Sequence, residues 1–124
     1  GTPMEFEDVR ASVVEIISAA NGRFLTAYQI CQRIEQSDPE LWQTIVTSYP
    51  SSDPDVPMGA GAGRHYSPAS FVANSLRYFL RMGMIPGLRL EWFECEGVSF
   101  SGVDPGYTGN VVGIWAIQDA APAQ

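Results

Sequence analysis

The chain has 124 residues, of which 45% are hydrophobic and 17% charged, enough for one domain with a sizeable apolar core. Its formal net charge is −7, which argues against an overall attraction to nucleic acid or anionic membranes. No apolar run approaches the roughly 18 residues of a membrane helix, so we expect no membrane association. The chain therefore belongs to the globular class.

The reactive side chains are few and form no known chemical signature. The two cysteines, Cys31 and Cys95, stand alone, and His65 is the only histidine. We interpret the cysteines as small core residues of a reduced, cytoplasmic protein. Without a nucleophile, metal-spacing or paired-carboxylate motif, we expect no enzymatic activity, no metal and no cofactor.

The first predicted helix extends from about residue 5 to residue 20, where apolar side chains recur every three or four positions. The inner positions are Val9, Val13, Ile16, Ile17 and Ala20. Asn21-Gly22 supplies the left-handed end of this helix. Phe24-Leu25 could then form a short strand.

Two further helices are predicted before Pro50. Thr26 offers a hydroxyl cap to the second helix, and Asp38-Pro39 is typical of the start of the third. The inner residues of the second helix are Ala27, Ile30, Cys31 and Ile34. Those of the third are Leu41, Trp42, Ile45, Val46 and Tyr49.

Residues 50–66 have the composition of a loop, rich in proline and then in glycine. The stretch "GAGAGR" resembles a phosphate-binding loop only superficially, because it follows no predicted strand and the chain has no lysine. We interpret the loop as a hinge before the next helix, with a phosphate clamp as the lesser alternative.

A fourth helix over residues 68–82 and two strands complete the predicted fold. Ser67-Pro68 begins the helix and Gly83 ends it. Its predicted inner residues are Phe71, Val72, Leu76, Phe79 and Leu80. Strands over 88–96 and 111–117 form a two-stranded antiparallel hairpin. The prediction is a single α+β domain over 1–124 with a flexible tail at 119–124, in which Trp42, Trp92, Trp115 and Phe93 lie in the core or a dimer interface.

This order of elements resembles that of a winged helix-turn-helix domain. The segment "SFVANSLRYFLRMGMI", residues 70–85, resembles the recognition helix of that fold and its exit, at Leu76, Leu80, Gly83, Met84 and Ile85. The resemblance implies that helix 68–82 reads DNA and that the hairpin is the wing. The chain departs from the family pattern by an extra helix at 39–49 and the loop that follows it.

The outer face of the fourth helix suits a reader of the major groove. Ser70, Asn74, Arg77 and Arg81 fall on one face, and residues 59–90 contain four arginines and no acid. Arginine and asparagine make bidentate contacts to guanine and adenine. Arg64, His65 and Ser67 precede the positive end of the helix, where a DNA phosphate binds well. The first hypothesis is a DNA-binding transcription regulator that binds duplex DNA as a dimer; the alternative is a solvated face whose arginines pair with neighbouring acids.

The predicted wing favours a different partner. Glu91, Glu94, Glu96 and Asp104 would repel the phosphate backbone, which DNA-binding wings usually contact with lysine or arginine. The second hypothesis is therefore an acidic winged-helix module for protein–protein interaction, or an inhibitor whose surface imitates DNA.

Overall fold

The computed structural model describes residues 4–50, 67–98 and 111–118. In this part of the chain a 3₁₀ turn, Phe6–Val9, precedes four helices and three strands. The helices are α1 (Arg10–Ala19), α2 (Ala27–Ser37), α3 (Pro39–Ser48) and α4 (Pro68–Met82). The strands are β1 (Leu25–Thr26), β2 (Leu88–Glu94) and β3 (Val111–Ile117). The fold is α+β, as predicted.

The first predicted helix is divided at Val9. Its start is a tight 3₁₀ turn, since the Glu5 N–H donates to the Asp8 carboxylate (2.9 Å) and the Asp8 N–H to the Glu5 carbonyl (3.1 Å). α1 continues from Arg10 and ends before Asn21, whose φ is 57°. The five predicted inner positions between Val9 and Ala20 are all buried, which confirms the periodicity.

α2 begins at a capping box formed by Thr26. The Thr26 Oγ1 accepts the Gln29 N–H (3.1 Å), and the Gln29 side chain accepts the Thr26 N–H (2.9 Å). Ala27, Ile30, Cys31 and Ile34 are buried as predicted. α2 contacts α1, α3, α4, β1 and β3, so its inner face lies at the centre of the core.

α3 and the N-terminal turn pack against α4 through aromatic rings. The Tyr49 ring stacks on Phe71 with centroids 4.4 Å apart, and its hydroxyl donates to the Met4 carbonyl (2.9 Å). Phe6 lies 5.7 Å from Phe71 and 5.4 Å from Tyr78. These contacts leave the opposite side of α4 facing solvent.

The sequence predicted a two-stranded sheet, but the sheet of the described residues has three strands. The described strands form a sheet of order β1-β3-β2, in which β3 pairs antiparallel with both neighbours. β1 joins through Leu25 opposite Trp115 and Thr26 opposite Ile114. A strand of two residues has no pattern that identifies a partner 90 positions away, so only the folded chain shows this pairing.

β2 ends at Glu94, two residues earlier than predicted. The Glu96 N–H donates to the Glu94 carboxylate (3.0 Å), and Gly97 has a φ of 81°. The Val98 N–H then donates to the Cys95 carbonyl (3.0 Å) and closes a turn. The strand therefore gives way to a turn just where ladder pairing with β3 stops.

Both cysteines are buried free thiols, as predicted for core residues. Burial raises the pKa of the Cys31 thiol, because a thiolate loses its hydration in the core. The thiolate is the reactive form, so burial of Cys31 disfavours its reaction in the folded protein.

Some predicted core positions are exposed. Trp42 and Trp115 are buried, but Leu80 is 38% exposed, Phe93 36% and Trp92 59%. Leu80 lies at the edge of the buried stripe of α4, and the four residues 91–94 of β2 are all exposed. Within the described ranges, no helix is long and apolar enough to cross a bilayer. The loop at 51–66 and the tail at 119–124 lie outside these ranges.

Two glycines with positive φ make a matched test of the fold. Gly87 has a φ of 82°, and a Cβ there would lie 2.5 Å from the Gln118 carbonyl oxygen. Gly83 has a φ of 65° with open space around it. We expect Gly83→Ala to lower the free energy of unfolding by about 1 kcal/mol, from backbone strain alone.

Gly87→Ala adds a steric overlap to the same strain, and we expect a loss of about 2 kcal/mol or more. Urea denaturation followed by circular dichroism measures both variants. Equal losses would contradict the close approach of Gly87 to the end of β3.

Candidate functional site

The first two candidate residues of α4 form its N-terminal cap. The Ser67 N–H donates to the Ser70 Oγ (2.7 Å), and the Ser70 hydroxyl donates to the Ser67 carbonyl (3.1 Å). The two hydroxyl oxygens lie 3.2 Å apart, and Ser67 is buried. These side chains stabilise the start of the helix, so they are not extended toward a ligand as the sequence suggested.

Asn74 is half-buried, and its amide is bonded to its own helix. The Nδ2 donates to the Ser70 carbonyl at 2.8 Å. The second Nδ2 proton and the Oδ1 remain for a contact at the surface. Of the four residues on the predicted face, Asn74 therefore has one donor bound to its own helix and two polar groups left for a contact at the surface.

Arg77 and Arg81 carry the exposed positive charge of α4. The guanidinium carbon of Arg77 lies 5.8 Å from the ring centroid of Trp92, and that of Arg81 lies 5.7 Å from the Tyr78 ring. Over the described ranges, neither arginine forms an ion pair with a carboxylate. The alternative of a solvated face whose arginines pair with neighbouring acids therefore has no ion pair in its support among the described residues.

The register of β2 separates two of the predicted acidic residues. Successive side chains of a strand point to opposite faces, so Trp92 and Glu94 share one face and Glu91 lies on the other with Phe93. Glu91, Glu94 and Glu96 are all exposed. The acidic residues therefore do not form a single surface beside Arg77.

Three candidate residues lie outside the described ranges. They are Arg64, His65 and Asp104. Sequence reasoning missed Trp92 as a surface residue next to α4, because the aromatic pattern of β2 favoured a buried position. Gly113, opposite Trp92, was the one available signal, since glycine inside a strand often marks the close approach of another group.

The described residues offer no cluster of three histidine, cysteine or acidic side chains that could hold a metal ion. The arrangement on α4 and β2 is instead a surface with two exposed arginines, each beside an aromatic ring, and an exposed indole. Comparison with protein-family models, curated proteins and solved structures gives no match for this chain.

The serine cap leads to a stability prediction. Ser70→Ala removes the oxygen that accepts the Ser67 N–H, and we expect the free energy of unfolding to fall by about 1 kcal/mol. Ser18→Ala, at an exposed position of α1, is the matched control and should change stability by less than about 0.5 kcal/mol. Equal effects of the two substitutions in urea denaturation would refute the cap.

Proposed function

We propose that the protein is a winged-helix transcription regulator that binds duplex DNA through α4, with β2 and β3 as the wing. The proposal is supported by the order of elements, in which a short strand follows the first helix and a hairpin follows the last. The three-stranded sheet is compatible with this layout, because the short strand pairs with the second strand of the hairpin.

The observation that carries the proposal is the exposure of Arg77 and Arg81 on α4, where neither forms an ion pair with a carboxylate of the described residues. Their spacing of four residues places them one turn apart on the same side. Each guanidinium has a planar fork of donors that matches the O6 and N7 atoms of guanine. A helix that exposes two such groups, with no acidic partner among residues 4–50, 67–98 and 111–118, is suited to an anionic, hydrogen-bonding surface such as the major groove.

The overall charge of −7 opposes DNA binding less than it first suggests. Mobile ions screen exposed charges over about 8 Å at physiological ionic strength, so nearby groups dominate the local potential. Residues 67–90 contain no acid, and of the acids on β2 Glu91 lies on the sheet face opposite to Trp92 whereas Glu94 shares the face of Trp92.

A second function, capture of a protein partner, is favoured by the apolar surface of the wing. Trp92, Phe93, Val98 and Val111 are exposed. Glu91, Glu94 and Glu96 lie in the same part of the chain, and this mixture suits a basic and partly apolar partner better than a phosphate backbone.

The two functions are distinguished by binding to a mixed pool of labelled duplexes, followed by fluorescence anisotropy at low and moderate salt. For a DNA-binding protein we expect affinity to fall steeply as salt rises. Arg77→Ala with Arg81→Ala should then weaken binding about 30-fold or more, since each bidentate contact contributes about 1–3 kcal/mol.

The matched control is Arg10→Ala with Arg33→Ala, which removes the same charge from exposed positions of α1 and α2. It should leave affinity almost unchanged. If the native protein binds no duplex even at low salt, the first function is excluded. Replacement of Glu91, Glu94 and Glu96 by lysine would then test the second, since it should abolish the binding of a basic partner.

A further inference from the structure

The contact between Arg77 and Trp92 joins the exposed face of α4 to the wing. We propose that Trp92 is a positioning residue that holds the guanidinium of Arg77 against its indole, so that Arg77 reads a base edge. The inference rests on the proposed function, because it assigns a role to Trp92 within the same surface. It concerns a residue that the sequence placed in the core or a dimer interface.

The indole is supported by the sheet although it is 59% exposed. Trp92 lies opposite Gly113 in the β2–β3 register. A Cβ on Gly113 would lie 3.7 Å from the Trp92 Cζ3 and 3.1 Å from the Leu90 Cδ1. The absent side chain therefore leaves the space in which these two residues pack over β3, and the ring has a defined position.

The chemistry of the contact keeps the donors of Arg77 available. A cation over an aromatic face is attracted by the negative face of the ring, at separations of up to about 6 Å. The attraction does not consume the N–H donors of the guanidinium, whereas a salt bridge to a carboxylate would occupy two of them. Arg77 is therefore held in place while its five donors remain available for a ligand.

Arg81 and Arg77 differ in the element that supports the guanidinium. Its aromatic support is Tyr78, which belongs to the same helix and packs against Phe6 and Phe79. The support of Arg81 therefore moves with α4, whereas that of Arg77 is provided by β2. Only Arg77 depends on the wing for its position.

An ordered side chain loses less conformational freedom on binding than a mobile one. A mobile arginine can neutralise any nearby phosphate, but discrimination between bases requires a guanidinium whose donors are held in one orientation. Trp92 therefore contributes to sequence discrimination through Arg77, without carrying charge itself and without a need to touch DNA.

The test compares Trp92→Leu, which removes the ring, with Trp92→Phe, which retains an aromatic face. A preferred duplex is first selected from a randomised pool with the native protein, and each base pair is then varied. We expect Trp92→Leu to reduce discrimination about 2- to 5-fold at the base pair that Arg77→Lys also affects. The slope of affinity against salt should stay the same, since no charge changes.

Three controls separate positioning from a structural effect. Phe93→Leu alters an exposed ring on the opposite face of β2 and should leave discrimination unchanged. Trp92→Phe should retain most of the discrimination of the native protein, because it keeps an aromatic face. In an Arg77→Ala background, which has no cation for the indole to hold, Trp92→Leu should have no further effect. Unfolding midpoints in urea confirm that the variants remain folded.

The geometry is also testable without DNA. The Arg77 Nε–H resonance should be shifted by the indole ring current in the native protein, and the shift should disappear in Trp92→Leu but not in Phe93→Leu. An unchanged resonance, or unchanged discrimination in a variant that still binds, would overturn the role of Trp92 alone. A native protein that binds no duplex would overturn the proposed function and this role together.

Discussion

The arrangement of the described residues depends on the junction at which β1 becomes α2. Thr26 is buried, pairs with Ile114 in the sheet and caps the helix through Gln29. A buried backbone N–H without a partner would cost about 1–3 kcal/mol, and the capping box satisfies two of them. Because α2 contacts α1, α3, α4 and the sheet, the point at which it begins places the other helices around it.

Backbone hydrogen bonds also fix the connection from α4 to β2. Gly83 ends α4 in a left-handed conformation, and the Met84 N–H donates to the Phe79 carbonyl (2.9 Å). β2 begins only a few residues later, and Gly87 accepts a hydrogen bond from the Gln118 N–H at the end of β3 (2.9 Å). After this short connection, Trp92 of β2 lies with its ring centroid 5.8 Å from the guanidinium carbon of Arg77, which links β2 to the exposed face of α4.

The charge of this surface differs in sign from the net charge of the whole chain. A chain with a net charge of −7 would repel nucleic acid if the charge were uniform, yet α4 carries two exposed arginines and no acid. The proposed function follows from that separation, and the exposed apolar side chains of the wing are the feature that favours a protein partner instead. The contact between Arg77 and Trp92 joins the basic face of α4 to these exposed apolar side chains.

The sequence by itself determined the helices, their inner faces and the two long strands, because helix periodicity, strand alternation and caps depend on neighbours within a few positions. It also identified the basic face of α4, but not the contacts that hold the side chains of that face in position. Only the tertiary structure decided that Ser70 and Asn74 bond to their own helix, and that Trp92 lies at the surface beside Arg77. It also decided that β1 joins the sheet through Trp115. Those outcomes depend on side-chain packing or on contacts between distant residues, and a local pattern does not contain them.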